Sequence, residues 1–299
     1  MPARFSASII LADALCVQGA TSCNETTNER LGVSAANIGR KSAATASVMV
    51  SNFPLRGQPN KAKMGRSTMA LLCRKIVPMP LITFEGSEGC GKSTQVKRLA
   101  SRLEKWGIAA APFREPGGTA IGEAIRHLLQ HSEENQAMTP ETELLLFEAS
   151  RSQLVREKIQ PALQRGEWVI CDRFFYSTTV YQGAARHLDC GLVKKLNAFA
   201  IGDCIPDLTF VLDIDRTIAQ SRLGKRKKIR DRMEDESDKF HQRVIRAYRQ
   251  LAKDEPKRVV LIDGRSSVDA IEQQIWNALA QRFPDLGKHQ TPNIKLQTS

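Results

Sequence analysis

A chain of 299 residues with 41% hydrophobic side chains has room for one large α/β domain with a sizeable core, plus additional sequence. No stretch reaches the roughly 18 uninterrupted apolar residues that a membrane-spanning helix needs, and the seven cysteines, odd in number and without a C-x-x-C pair, suggest neither a zinc site nor a disulfide framework. The net charge of +12 and pI of about 9.5 admit nucleic acid as a partner, but they also suit a protein that holds phosphates.

Residues 1–79 show no clear helical or strand period and hold ten Lys/Arg against three Asp/Glu, so more than half of the excess positive charge lies there. Such a composition buries too little apolar surface to fold alone, and it predicts a disordered or weakly ordered extension. An acid-poor leader bearing Arg and Ser also has the make-up of an organelle transit peptide. A third reading is a start assigned too early, since Met64, Met69 and Met79 lie just ahead of the first strand. The cysteine usage suggests a reducing compartment, which fits the cytoplasm, with organelle import through this extension as the alternative.

The body is predicted to begin with a short apolar strand from Leu81, followed by Gly86, four further residues, then Gly91, Lys92 and Ser93, the phosphate-loop pattern G-x-x-x-x-G-K-[ST]. In that pattern Gly86, Ser87, Glu88, Gly89, Cys90 and Gly91 turn successive backbone N–H groups toward one anionic cavity. The helix expected from Lys92 to Trp106 aims its positive dipole end at the same place. Lys92 then reaches the β- and γ-phosphates, Ser93 holds Mg²⁺, and Thr94 completes the triphosphate site.

A second buried strand, Ile108 to Phe113, delivers Arg114-Glu115-Pro116-Gly117-Gly118-Thr119 to the carboxyl edge of a parallel sheet, where ligands bind. A helix over Ile121 to Leu129 and a polar loop precede a long helical pattern from Pro140 to Leu163. On it Phe147 and Arg151 are four apart and share a face, so a nucleobase could stack on one and bond to the other. On spacing alone, a core Phe beside a surface Arg is the favoured reading.

The strand Trp168 to Cys171 ends at Asp172-Arg173, an acid placed to hold the Mg²⁺ shell and a guanidinium placed to clamp a phosphate. Phe174 to Gly183 is rich in hydroxyl, aromatic and amide groups suited to a sugar and a base. A helix (Leu192 to Ile201) and a fourth strand (Leu208 to Leu212) lead to Arg222 through Arg232, a run with seven basic residues. This run reads as a nucleic-acid patch, a solvated face, or a mobile lid that closes over a triphosphate and supplies arginines. The helix Phe240 to Leu251, strand Val259 to Ile262 and helix Val268 to Leu279 complete a domain expected over 80–283, with a polar tail over 284–299.

The ordered set GSEGCGKST, REPGGT, FEASR, DRFFYSTTVYQG, PDLTFVLD and DRME closely resembles the bacterial thymidylate kinase family, from about Leu81 to Arg282. The resemblance implies an α/β three-layer P-loop NTPase fold: a five-stranded parallel sheet flanked by helices, with a basic lid. It implies a homodimer that uses ATP and Mg²⁺ to convert dTMP to dTDP, with no nucleic acid or membrane partner. Carried over position by position, it implies that Phe147 stacks on thymine, Arg151 hydrogen-bonds it, and Thr178 and Gln182 lie near it. Arg114 and Arg173 would hold the acceptor phosphate, Tyr181 would crowd the sugar 2′ position, and Glu88 would face the acceptor side. Lys92, Arg173, Glu88 and the lid residues Arg226 and Arg230, with Arg222 in reserve, are the expected catalytic groups; Ser93 and Asp172 are the expected metal ligands. Val180 stands where the family usually has Ala. The readings left beside this one are a kinase for another nucleoside monophosphate and a nucleotide-gated nucleic-acid-binding protein.

Overall fold

The computed structural model describes residues 79–225 and 231–289. The expectations for the N-terminal extension, for Arg226 and Arg230, and for the tail beyond 289 lie outside the described residues.

The chain runs β1 (Leu81–Glu85), α1 (Lys92–Lys105), β2 (Ala110–Arg114), α2 (Ala120–Gln130) and α3 (Pro140–Leu154). A π turn (Val155–Ile159) carries α3 into α4 (Gln160–Gln164), followed by β3 (Trp168–Asp172) and α5 (Phe175–Thr178). A π segment (Thr179–Ala185), α6 (Cys190–Ile201), β4 (Leu208–Asp213), α7 (Arg216–Gly224), α8 (Asp238–Asp254), β5 (Val259–Asp263) and α9 (Val268–Arg282) complete it.

The five strands pair in parallel in the order β2-β3-β1-β4-β5. Side chains alternate across a strand, so each strand supplies both layers. Ile82, Phe84, Ile170, Phe210 and Leu212 pack with Val96, Leu99 and Leu103 of α1 and with Ile271, Ile275 and Leu279 of α9. On the opposite face Leu81, Val169 and Cys171 meet Val155, Ile159 and Ala162, while Val211 meets Val244 and Tyr248 of α8. Each large side chain so buried contributes on the order of 1.5–3 kcal/mol, which is what holds the helices to the sheet. The expected three-layer architecture is present.

Helix starts follow local chemistry. The Thr119, Asp189, Ser237 and Ser267 side chains accept from Gly122, Leu192, Phe240 and Ala270 N–H groups at 2.9, 2.6, 3.2 and 3.2 Å, satisfying donors that each first turn leaves unpaired.

Three local features depart from the sequence expectation. The single helix expected from Pro140 to Leu163 is broken by the π turn, because Pro161 has no N–H for the Glu157 carbonyl and its ring would strike it. Helix α7 was hidden because only Ala219 and Leu223 of its nine residues are buried, too few to show a period. The packed body also continues past 283: Pro284–His289 forms a 3₁₀ turn and Leu286 is buried against the core.

Candidate active site

The order in which strands are added reverses about β1, with β2 and β3 on one side and β4 and β5 on the other, and the crevice at the carboxyl ends of these strands is where an open parallel sheet holds ligands. The loop after β1 enters it through Gly86 at φ +132°, where a Cβ would lie 2.5 Å from the Leu212 carbonyl oxygen. Only glycine lets the chain pass that close to β4. Gly91, at φ 103°, then starts α1. Glu88, Gly89, Gly91, Lys92, Ser93 and Thr94 lie on the cleft wall. Gly86, Ser87 and Cys90 are buried behind it. The Lys92 ammonium folds across the loop and donates to the Gly86 and Ser87 carbonyls at 3.0 and 2.9 Å.

β3 pairs with β1 so that Phe84 stands beside Asp172. That register brings the Ser93 hydroxyl onto the Asp172 carboxylate, to which it donates a hydrogen bond. The expected metal pair therefore meets at one point of the cleft wall. A hydroxyl and a carboxylate oxygen are hard donors, and Mg²⁺ needs only one or two such protein ligands beside phosphates and water, so these residues fit it.

Arg173 follows at φ 73°, unusual for a side-chain-bearing residue, and its guanidinium is tightly held. It donates to Glu88 Oε1 at 2.9 Å, to Ser177 Oγ at 3.1 Å and to the Tyr181 hydroxyl at 3.3 Å. Tyr181 in turn donates to Glu88 Oε1 at 2.6 Å. Burial pushes the Glu88 carboxyl up, but His241 at 3.5 Å from Oε2 and the charges of Arg173 and Lys92 outweigh it and hold Glu88 down at about 2. Glu88 is thus an ionised acceptor joining the phosphate loop to the opposite wall. Arg114, on the same wall, is tethered by Glu123 at 2.7 Å.

Phe147, Thr178, Tyr181 and Gln182 all line the cleft. Tyr181 and Gln182 belong to the π segment, whose wide turn presents neighbouring side chains that a regular helix would spread around its axis.

Arg151 lies apart from the other residues expected at the base. Its side chain is 1% exposed and lies behind the cleft wall rather than on it. Nε donates to Glu115 Oε2 at 2.8 Å, Nη1 to Glu148 Oε1, Thr178 Oγ1 and Asn197 Oδ1 at 2.8, 2.9 and 3.1 Å, and Nη2 to the Phe174 carbonyl at 3.3 Å. Two buried carboxylates draw the guanidinium inward, although the helical spacing that pairs it with Phe147 is present. These bonds join Arg151 to Glu115 and Thr178, both of which line the cleft.

Two cleft residues, Arg126 and Gln130, were not singled out from sequence, and Asp231, Met233 and Glu234 were seen there only as part of the DRME stretch, without a role. All five line the cleft, and Arg126 donates to the Pro116 carbonyl at 2.9 Å. Burial and then the charge of Arg114 lower the Arg126 pKa, the mark of two cations set close together. The available signal was the i, i+3, i+7 spacing of Glu123, Arg126 and Gln130 beside the REPGGT turn.

Glu115 carries a pH dependence. Burial, only partly offset by Arg151, pushes its carboxyl up to about 7. The folded state then binds this proton more tightly than the unfolded chain, so the group's contribution to stability is full below its unfolded pKa and falls as pH rises toward about 7. Between pH 5 and 7.5, wild type is expected to lose about 1–3 kcal/mol relative to Glu115→Gln. Urea denaturation of both proteins at the two pH values checks this; parallel trends would contradict it.

Sheet order, phosphate loop and a facing wall of arginines place the protein among the phosphate-loop kinases that bring two phosphorylated ligands into one cleft. The thymidylate kinase family model matches residues 84–275. The chain is 43% identical over 204 residues to a thymidylate kinase of Afipia carboxidovorans, covering 68% of this chain and 89% of that one. It is 46% identical over 208 residues to one from Geobacter sulfurreducens, covering 68% and 97%. A crystal structure of thymidylate kinase from Ehrlichia chaffeensis matches with a TM-score of 0.54 and 34% identity, covering 67% of this chain and 98% of that one. The chain belongs to the thymidylate kinase family.

Proposed function

We propose that the protein transfers the γ-phosphoryl group of ATP to dTMP, giving dTDP. The observation that carries this is the joining, within one cleft, of the Lys92–Ser93–Asp172 corner to the wall formed by Arg114, Arg173, Phe147, Thr178, Tyr181 and Gln182.

ATP lies with its phosphates along the loop, its γ-phosphate under Lys92. The acceptor phosphate is held by Arg114 and Arg173, and its base is set against Phe147. Two polyanions repel, so the chief task is to offset charge and align the reacting atoms. Lys92 compensates donor charge and the arginines compensate acceptor charge. The dTMP phosphate is already anionic, and no general base is needed. Ser93 and Asp172 would hold Mg²⁺, which when bound supplies positive charge to the β- and γ-phosphate oxygens. The basic run holding Arg226 and Arg230 supplies positive charge to the phosphoryl group in transfer.

Second copies of the chain pair through the apolar face of α2, α3 and α6, which packs side by side and exposes Ile121, Leu145, Leu192 and Phe199. The protein acts in the cytoplasm. No described helix is long and apolar enough to cross a membrane.

ADP release measured over a panel of dTMP, dUMP, dCMP, dGMP and UMP tests the substrate. dTMP is expected to give the highest kcat/KM by at least about tenfold over each other nucleotide; a higher value for any other would overturn the assignment.

A further inference from the structure

Glu143, in the first turn of α3, has no role in the transfer described above, yet its side chain is 1% exposed and its carboxylate receives bonds from Gln182 on the cleft wall and from two arginines. Oε1 accepts from Gln182 Nε2 at 2.6 Å and from Arg186 Nε at 3.2 Å. Oε2 accepts from Arg186 Nη2 at 3.0 Å and from Arg232 Nη2. Arg186 also reaches Glu236 at 2.5 Å, and Arg232 Nε bonds the Leu129 carbonyl at 3.3 Å. The carboxylate therefore ties the π segment to the stretch that follows the basic run, which Arg232 in turn joins to the end of α2.

We propose that Glu143 is a positioning residue for base selection: it fixes the orientation of the Gln182 amide and so decides which pyrimidine edge the pocket accepts. This rests on the reading of the cleft as a dTMP site. An ionised carboxylate accepts hydrogen bonds and donates none, so the Gln182 NH₂ must face Glu143. Burial pushes the Glu143 carboxyl up, but the bonds from Arg186 and the charges of Arg186 and Arg232 outweigh it and lower its pKa, so it stays ionised. With its nitrogen committed, the planar amide offers the cleft its carbonyl oxygen, an acceptor. Thymine and uracil present an N3–H donor to such an oxygen, whereas cytosine presents an N3 lone pair and would face it unpaired. Arg186 and Arg232 keep the carboxylate charged and set its angle, so the same group anchors the chain leaving the lid.

The test is kcat/KM for dTMP and dCMP, each ratio taken within one preparation so that loss of folded protein cancels. In Glu143→Gln the neighbour can both donate and accept, the Gln182 amide is free to turn, and the dTMP/dCMP ratio is expected to fall at least about tenfold. The fall should be carried by KM for the nucleoside monophosphate, with KM for ATP unchanged. Glu143→Asp keeps the charge opposite both arginines but withdraws the acceptor from Gln182, and its ratio should fall in the same direction. Because Glu143 acts through Gln182, the double variant Glu143→Gln/Gln182→Ala should discriminate no worse than Gln182→Ala alone. A ratio unchanged in either soluble Glu143 variant, or additive losses in the double variant, would overturn the proposal. If wild type itself fails to phosphorylate dTMP, the functional reading falls; if wild type is active and the ratio holds, only the role of Glu143 falls.

Discussion

Lys92→Ala is expected to lower kcat by roughly a thousandfold while changing dTMP affinity by no more than about twofold. Lys92 is 7% exposed, and its ammonium sits at the bend of the phosphate loop on the Gly86 and Ser87 carbonyls, in the cleft that Ser93 and Asp172 also line. A fixed positive charge there offsets charge that moves along the donor phosphates during transfer, and in a water-poor site that interaction is far stronger than in solvent. The wall proposed to hold the acceptor is built from other elements: Arg114 from the end of β2, Arg173 after β3, and Thr178, Tyr181 and Gln182 beyond it. Steady-state turnover together with calorimetric titration of dTMP separates the two effects. Parallel loss of turnover and dTMP binding would contradict the division between donor and acceptor walls.

The second large effect concerns stability. Arg151→Met removes the only charge placed between the Glu115 and Glu148 carboxylates among the described contacts, and it leaves the Phe174 carbonyl and Thr178 with one donor fewer. Breaking a buried pair from one side costs about 3–5 kcal/mol, because the remaining charge stays desolvated and unpaired. In a domain of this size that corresponds to a fall in Tm of about 10 °C. Part of the loss should return when Glu115 is also changed to Gln, since the neutral amide needs no counterion. If Arg151→Met instead lost less than about 1 kcal/mol while KM for dTMP rose a hundredfold, the guanidinium would be a direct base contact after all. Thermal and urea unfolding, run beside the kinetics, distinguish these outcomes.

Arg151 also shows where sequence stops being informative. Its place one helical turn after Phe147 was legible, and Phe147 does line the cleft. The direction of the guanidinium was not, because it is set by Glu115 on a different element, and a helix period says nothing about long-range charge pairs. The phosphate loop was readable residue by residue since its chemistry is local: glycines for the turn, a lysine and a hydroxyl at fixed offsets. The central strands β1, β3 and β4 were readable because a parallel strand buried on both faces is an almost unbroken apolar run, and the half-exposed edge strands β2 and β5 because they too are short apolar runs. The two π turns were not, since their hydrogen bonds differ from an α-helix by one residue while the side-chain composition is ordinary. Glu143 resembled any acidic residue in a first helical turn, where the dipole alone would explain it. Only the folded chain brings Gln182, Arg186 and Arg232 to it.

The most direct measurement follows the label from ATP carrying ³²P in its γ-phosphate, incubated with the purified chain, Mg²⁺ and dTMP. One cleft that aligns two phosphorylated ligands predicts that the label moves into dTDP one for one with ADP formed, and that little phosphate is released when dTMP is omitted. Label appearing as inorganic phosphate at the same rate with and without dTMP would contradict it.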